Sequence, residues 1–248
     1  MNMTQSPQGT NRKTATGVGG LFTPNSITTR RLDLQMMKTN PSQFEQERVR
    51  KRYDGMARTY AAIGQLITAH RHEAAVALGV QPGERILDLA CGPGVNFKNI
   101  LKDLGTGGSL VGLDYSSGMI EQAQQRVKRN GWSNVTPLLG DAARLLFADC
   151  EFDSVLGTYS FSVIPGYQQA LDEVARVLKP GGTLVVLDGK SSDGPLRFLN
   201  PLVKLLARTP VSDLTRPLMD EIAQRFQVVR TTEYDFGFTF LAVAHKKE

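Results

Sequence analysis

The stretch LDLACGPGV, residues 87–95, decides the fold of this chain. An apolar strand runs directly into a turn that contains Gly92 and Gly94, and glycines let the backbone pass close to a bound molecule. About twenty residues further on, a second apolar strand, LVGLD, ends in Asp114. An acid at this strand end can accept hydrogen bonds from both hydroxyls of a ribose. The layout predicts a nucleotide-type cofactor site on a parallel sheet.

The glycine turn departs from the pattern of dinucleotide-binding proteins. That pattern, G-x-G-x-x-G, uses a third glycine to pack helix on strand, whereas this chain has Phe97 at the third position. Pro93, between the two glycines, also removes one backbone amide that could face a pyrophosphate. Both observations disfavour NAD and FAD, and with them the class of nicotinamide oxidoreductases.

Strand-like and helix-like segments alternate around this turn. Ile120, Ala123 and Val127, for example, share one face of a helix. Such alternation predicts an α/β fold with a parallel sheet and helices on both faces. The predicted strands are 85–90, 109–114, 135–139, 152–157, 183–188, 226–232 and 234–245, and the predicted helices are 95–104, 117–130 and 167–178, preceded by a helical stretch from 42 towards 78.

Several motifs, taken in order, resemble those of the class I S-adenosylmethionine-dependent methyltransferases. DLACGPG at 88–94 resembles motif I, and Asp114 resembles the acidic strand end. GDA at 140–142 resembles the adenine-edge loop, FDSVL at 152–156 the fourth strand, and LKPGGTL at 178–184 the turn into the fifth. The closest resemblance is to the branch that methylates ubiquinone and menaquinone precursors, with bacterial phospholipid N-methyltransferases nearby. It implies a Rossmann-like, seven-stranded, mostly parallel sheet whose final strand is antiparallel.

The same resemblance implies S-adenosylmethionine as the cofactor and assigns roles to residues. Asp114 would accept from the ribose hydroxyls, and Asp88 would lie near the amino group of the methionine part. Asp88 could instead brace the loop through backbone amides, because a buried carboxylate needs donors. Tyr115 and Met119 would cover one face of the adenine, unless they belong to the core. The expected cofactor-binding residues are Asp88, Cys91, Gly92, Gly94, Asp114, Tyr115, Met119, Asp141, Ala142, Thr158 and, on the leading helix, Tyr60.

The segment 189–224 interrupts the alternation after the fifth predicted strand. An insertion here lies over the carboxyl ends of the strands, where open α/β sheets bind ligands. We therefore predict a small substrate lid; the alternative is a helix packed on the sheet with solvated charges. The apolar positions at helical spacing are Leu199, Leu202, Val203 and Leu206, flanked by Arg197, Lys204 and Arg208.

The acceptor of the methyl group is defined less sharply by the sequence. The residues expected to contact it are Tyr53, Tyr159, Lys190 and Leu202. No general base stands out, and His70, Tyr159 and Lys190 are the candidates. An apolar lid with flanking cations favours a small or hydrophobic acceptor, either a quinone precursor, a phospholipid amine or an aromatic metabolite. Its amphipathic stretch could also rest on a membrane surface.

Charge and composition narrow the classes of partner and cofactor that the chain is expected to bind. The net charge of the 248-residue chain is +5, and residues 1–31 contribute +4 of it through Arg12, Lys13, Arg30 and Arg31 without any acid. The basic balance is therefore poor evidence for a nucleic-acid surface, and we expect no nucleic-acid partner. Neither of the two cysteines belongs to a metal-binding motif, and we expect no metal.

Targeting and domain signals are equally sparse. The chain has no apolar run long enough to span a membrane and no secretory signal, which favours a cytoplasmic location. Residues 1–41 are rich in Thr, Asn, Ser and Gly, and we expect them to be a disordered tail. Residues 42–248 are then the methyltransferase domain.

These features predict an S-adenosylmethionine-dependent methyltransferase. The alternative is a protein that binds the cofactor without transferring methyl, as a sensor or partner subunit, because the glycine turn and Asp114 argue for binding and not for turnover.

Overall fold

The computed structural model describes residues 47–48, 50–55, 69–202 and 213–247. Residues 50–55 are helical, and short 3-10 turns occur at Arg197–Leu199 and Asp235–Gly237. The strands are β1 (Arg85–Leu89), β2 (Ser109–Asp114), β3 (Val135–Leu139), β4 (Phe152–Thr158), β5 (Leu178–Gly189), β6 (Phe226–Tyr234) and β7 (Thr239–Lys246). The remaining helices are α1 (Ala69–Ala77), α2 (Phe97–Leu104), α3 (Ser117–Asn130), α4 (Tyr167–Val177) and α5 (Leu218–Arg225).

The seven strands form one mixed sheet in the order β3-β2-β1-β4-β5-β7-β6. Strands β1 to β5 run parallel, and β7 lies antiparallel between β5 and β6. The predicted Rossmann-like fold with an antiparallel final strand is confirmed. After β3 the chain crosses to the other side of β1, so the strand order reverses between β1 and β4. Open sheets of this kind bind ligands in the crevice at this switch point.

Both faces of the sheet are covered, because successive side chains of a strand point to opposite sides. On β5, Leu184 and Val186 belong to the core that includes α4 and α5. Val185 and Leu187 belong to the other core, under α1, α2 and α3. This two-sided burial explains why the central part of β5, Leu184–Leu187, is a continuous apolar run that does not alternate with polar residues.

Phe97 stands where the dinucleotide-binding pattern has its third glycine, and neighbouring glycines leave room for its ring. Its ring is fully buried beneath Gly94 and Gly112. A Cβ on Gly94 would lie 2.4 Å from ring atom Cε2, and one on Gly112 would lie 2.5 Å from Cζ. The two glycines therefore make room for an aromatic ring at the start of α2.

Several predicted bounds differ from the structure. Helix α2 begins at Phe97 and not at residue 95. Strand β5 begins at Leu178, five residues before the predicted start, because Leu178 pairs with Phe152 across a bulge. The last two strands are separated by the turn at Asp235–Gly237. The predicted tail, residues 1–41, lies outside the described residues.

The predicted lid is wrong in its second half. Helix α5 occupies residues 218–225, and Leu218 and Ile222 are buried in the core beside α4. An amphipathic pattern predicts a helix with one apolar face but does not say what that face packs against. In this helix the apolar face packs on the sheet. Two of the apolar positions predicted for the lid, Val203 and Leu206, lie among residues 203–212, which the structure does not describe. Within the described ranges, no helix is long and apolar enough to cross a membrane.

Candidate active site

A cleft with about 840 Å³ of empty volume lies at the carboxyl ends of β1, β2 and β4. Its walls come from the turns after these strands and from the helical residues 50–55. Of the residues predicted to bind cofactor or acceptor, ten line it. They are Tyr53, Cys91, Gly92, Asp114, Tyr115, Met119, Asp141, Ala142, Thr158 and Tyr159.

Asp114 is held rigidly at the end of β2. Its Oδ2 accepts from the backbone N–H of Gly92 at 2.8 Å, and its Oδ1 accepts from that of Ser116 at 2.9 Å. Burial raises the pKa of Asp114 to about 6, although these two hydrogen bonds oppose the rise. A carboxylate oxygen can accept more than one hydrogen bond. The fixed carboxylate therefore keeps acceptor capacity for a pair of hydroxyl donors in the cleft.

Gly92 lines the cleft with space in front of it. Its φ is +54°, and a Cβ added there would meet no atom nearer than Met119 Sδ at 4.0 Å. The backbone of this turn is thus open to a ligand, as the sequence predicts. Cys91 beside it is buried, and burial raises the pKa of its thiol.

Asp88 and Gly94 are not among the residues that line the cleft, and their contact with the cofactor stays a prediction. Gly94 is needed for the packing of Phe97. Asp88 is fully buried, and its Oδ1 accepts from the Asn96 side-chain amide at 2.9 Å. Burial raises its pKa to about 7, against the hydrogen bond from Asn96 and the positive charge of Arg71. Asp88 thus braces the loop through a side chain and not through backbone amides.

Lys190 and Leu202 also lie away from the lining of the cleft. The Lys190 ammonium pairs with Glu233 at 2.6 Å, and Leu202 is half exposed. Both belong to residues 189–202, the first half of the predicted lid, and their contact with the acceptor stays a prediction. Tyr60, the remaining predicted ligand, lies outside the described residues.

Arg71 is a residue that the sequence reasoning missed. It is only 6% exposed and lines the cleft. Its Nη1 donates to Thr158 Oγ1 and, at 3.3 Å, to Asn96 Oδ1. Its guanidinium carbon lies 4.9 Å from the centre of the Tyr159 ring, in cation–π range. No local signal marks it, because in sequence it is one basic residue between two histidines.

Two residues at the cleft have positive φ without being glycine. Ala90, after β1, has φ +52°, and Tyr159, after β4, has φ +51°. Backbone in this region costs energy that the surrounding structure must offset, and it is concentrated at functional sites. Asp188 supports the second turn, because its Oδ2 accepts from the backbone N–H groups of Ser160 and Ser162, each at 3.1 Å.

Of the three candidate bases, only Tyr159 lines the cleft. His70 stacks on Tyr234 with ring centres 4.3 Å apart, and its Nε2 lies 3.5 Å from Asp235. Lys190 is held by Glu233. Across the part of the chain that the structure describes, no group of three or more His, Cys, Asp or Glu side chains could hold a metal ion.

The sheet and its cleft define a class of protein, the S-adenosylmethionine-dependent methyltransferases. The sequence model of the ubiE/COQ5 methyltransferase family matches residues 41–197. The chain therefore belongs to the ubiE/COQ5 methyltransferase family. Membership of a family of enzymes does not favour the alternative of a sensor without methyl transfer.

Relatives and solved structures agree with this assignment. A demethylmenaquinone methyltransferase of Geobacillus stearothermophilus is 30% identical over 234 residues, covering 83% of this chain and 99% of that protein. One from Listeria welshimeri is 28% identical over 222 residues, covering 81% and 91%. A methyltransferase from Haloferax volcanii, solved with the activator Trm112, has a TM-score of 0.66 at 20% identity and covers 81% of this chain and 98% of its own. A SAM-dependent methyltransferase from Aquifex aeolicus has a TM-score of 0.55 at 22% identity, covering 71% and 89%. The two structures support the fold.

Proposed function

We propose that this enzyme transfers the methyl group of S-adenosylmethionine to a quinone precursor of the demethylmenaquinone type. The observation that carries the proposal is the fixed Asp114 carboxylate in a cleft at the switch point, in a chain related over most of its length to demethylmenaquinone methyltransferases. The sulfonium of the cofactor supplies an activated methyl group. The protein's task is to hold the acceptor in line behind it at near-attack distance.

The residues that line the cleft suit the chemistry of the cofactor. Asp114 would accept from the two ribose hydroxyls, and the open backbone at Gly92 would let the ligand approach. Tyr115 and Met119 would cover one face of the adenine, and Asp141 and Ala142 would meet its edge.

Arg71 would bind the carboxylate of the methionine part. Its side chain lines the cleft and is only 6% exposed, and a guanidinium presents donors in a planar fork that matches a carboxylate. Thr158 Oγ1 accepts from Arg71 Nη1 and would hold the guanidinium in place. The hydroxyl of Thr158 would then act through Arg71.

Two ligands test this role of Arg71. S-adenosylhomocysteine carries the carboxylate, and 5′-methylthioadenosine lacks the whole amino-acid part. We expect Arg71→Met to weaken the first ligand by about tenfold or more, as for loss of a charged hydrogen bond, and to leave the second within about twofold. Equal losses for both ligands would contradict the assignment and indicate a general distortion of the cleft.

The acceptor would lie against the apolar wall after β4. Val163, Ile164 and Pro165 line this side of the cleft together with the ring of Tyr159. An aromatic acceptor would pack on these side chains. Once the methyl group is bonded to a ring carbon, that carbon must lose a proton. Of the predicted bases, Tyr159 lines the cleft, and we assign its phenol to a hydrogen bond with the acceptor hydroxyl; water takes up the proton that the ring carbon loses.

A panel of acceptors tests the proposed reaction. The purified chain is incubated with S-adenosylmethionine labelled in the methyl group and with reduced demethylmenaquinone, phosphatidylethanolamine or a small phenol. We expect label only in the quinone product, and at least about tenfold less with the Asp114→Ala variant at a cofactor concentration that just saturates the unmodified enzyme, as follows from a loss of two charged hydrogen bonds. Label found only in phosphatidylethanolamine, or only in the phenol, would mean that this compound is the acceptor and the quinone precursor is not. Absence of transfer to every acceptor would refute the proposal.

We also infer that residues 42–248 act as one methyltransferase domain and that residues 189–202 form the remaining part of the lid. Polar contacts centred on Ser192 tie this part to the turn before β7. The Ser192 backbone N–H donates to Asn200 Oδ1 at 2.9 Å, and its hydroxyl donates to the Phe236 carbonyl at 2.9 Å. The turn displays Phe236, which is 79% exposed and has φ +57°.

Exposed apolar side chains on residues 189–202 and on the turn before β7 favour a lipid surface as the source of a hydrophobic acceptor. Phe198 is 69% exposed, and Leu202 is half exposed on the same tied segment. We expect the variant Phe198→Ser with Phe236→Ser to sediment less with phosphatidylglycerol vesicles. Leu146→Ser, at a leucine elsewhere that is 90% exposed, should sediment normally. Equal sedimentation of both variants would contradict the membrane contact and leave the proposed reaction untouched.

A further inference from the structure

Asp54 joins the helical residues 50–55 to the opposite side of the cleft. Its Oδ1 accepts from the Ser116 hydroxyl at 2.7 Å, from the Gly118 backbone N–H at 2.9 Å and from the Ser117 hydroxyl at 3.4 Å. These donors lie at the start of α3, more than sixty residues away in sequence. A carboxylate is favoured at a helix N-terminus by the free N–H groups and the helix dipole.

Ser116 connects this contact to Asp114, the proposed acceptor for the ribose hydroxyls. Its backbone N–H donates to Asp114 Oδ1 at 2.9 Å, while its hydroxyl donates to Asp54. The same hydroxyl accepts from the Met119 backbone N–H at 3.1 Å and so caps α3. Ser116 is 2% exposed. One buried serine thus holds the carboxylate of Asp114 and the carboxylate of Asp54 in fixed relation.

The segment that Asp54 holds also supplies part of the cleft wall. Arg50 and Tyr53 line the cleft, one turn before and immediately before Asp54. A ligand in the cleft would therefore lie between this segment and the start of α3. Release of that ligand past the segment requires the Asp54 contacts to break.

We propose that Asp54 is a positioning residue that latches residues 50–55 over the adenosine side of the cleft and slows cofactor release. The proposal rests on the proposed function, since it takes S-adenosylmethionine as the occupant. Asp54 does not touch the cofactor in this scheme; it acts through Ser116, Arg50 and Tyr53.

The ionisation of Asp54 agrees with this role. Burial alone would raise its pKa, but the hydrogen bonds from Gly118, Ser116 and Ser117 and the charge of Arg50 outweigh burial, and the pKa is lowered. Asp54 is therefore a carboxylate at neutral pH, and charge-assisted hydrogen bonds are roughly twice as strong as neutral ones. Asparagine would keep the accepting oxygen and lose the charge.

The test is the kinetics of S-adenosylhomocysteine binding to the full chain. We expect Asp54→Ala to raise the dissociation rate constant at least about tenfold, as for loss of a charged hydrogen bond, with the association rate constant changed little. Asp54→Asn should fall between Ala and the unmodified enzyme. Asp103→Ala, the same change at an exposed acid on α2, should leave both rate constants unchanged. In steady state, KM for S-adenosylmethionine should rise while KM for the acceptor stays constant.

A double-mutant cycle separates the latch from a general loss of stability. Ser116→Ala should also accelerate dissociation. Asp54→Ala should have a smaller effect in that background than in the unmodified chain, because the two side chains act as a pair and only the donors Ser117 and Gly118 remain. Additive effects, or a dissociation rate for Asp54→Ala equal to that for Asp103→Ala, would overturn the latch alone. An unmodified chain that bound no S-adenosylhomocysteine would overturn the proposed function and the latch with it.

Discussion

Replacing Asp114 with alanine should weaken cofactor binding far more than it weakens folding. The two ribose hydroxyls would lose a charged acceptor, and each such hydrogen bond contributes roughly 1.5–3 kcal/mol. Even at the lower end, losing both costs about 3 kcal/mol, which is about a hundredfold in Kd. The backbone N–H groups of Gly92 and Ser116 lose the same acceptor.

The effect on stability should be smaller, for two reasons. Water can replace the carboxylate at the open side of the cleft, so each backbone bond costs only about 0.5–1.5 kcal/mol. The variant also removes a carboxylate whose pKa burial raises, and this removal stabilises the folded chain at neutral pH. We therefore expect Tm to fall by no more than about 10 °C, since 1 kcal/mol corresponds to about 2–4 °C at this size.

Calorimetric titration with S-adenosylhomocysteine measures the loss directly, and circular dichroism shows whether the variant is folded. Asp103→Ala serves as the control, an exposed acid on α2 whose removal should change neither quantity. A folded Asp114→Ala variant with the Kd of the unmodified enzyme would refute the reasoning, because the carboxylate would then have no part in binding.

Three further predictions follow from the same turn and strand. Gly92→Val should abolish cofactor binding in calorimetry, because its side chain would fill the open space before the turn at a positive φ; a bound ligand in its crystal structure would contradict this. Gly94→Ala should instead lower the free energy of unfolding by on the order of 2–4 kcal/mol through contact with Phe97, and Phe97→Leu in the same chain should recover part of the loss; an unchanged denaturation midpoint would count against it. Cofactor affinity should fall as the pH drops below about 6, where the raised pKa of Asp114 leaves its carboxyl protonated, while the free energy of unfolding without cofactor falls as the pH rises from about 4 to about 6; an affinity independent of pH from 5 to 8 would be the contrary result.

The sheet, and the part of the cleft formed by the glycine turn and Asp114, could be predicted because the sequence patterns that indicate them are local. An apolar strand that ends in a glycine turn, and another that ends in Asp114, each lie within a few residues of sequence. Order and spacing then fix which strand ends meet, since parallel strands bring their carboxyl ends to one edge.

The rest of the cleft depends on contacts between distant segments. Arg71, Asn96 and Thr158 meet only when α1, the start of α2 and the end of β4 pack together. Asp54 reaches α3 across more than sixty residues. In the sequence, Arg71 and Asp54 look like ordinary surface charges. Helical spacing predicts which face of a helix a residue lies on, but not what that face contacts.

The lid prediction was wrong only for the residues of α5, for a related physical reason. The segment after β5 has apolar residues at helical spacing both before and after residues 203–212. Burial of Leu218 and Ile222 against α4 assigns the second group to the core. Periodicity detects an amphipathic helix, but a lid and a core helix share the same periodicity.

A crystal structure of the chain with S-adenosylhomocysteine tests the central claim most directly. We predict ligand in the cleft between β1 and β4, with both ribose hydroxyls within about 3 Å of the Asp114 carboxylate, as for ordinary hydrogen bonds, and with the sulfur facing the wall of Tyr159 and Ile164. Ligand bound elsewhere, or a ribose turned away from Asp114, would contradict the account.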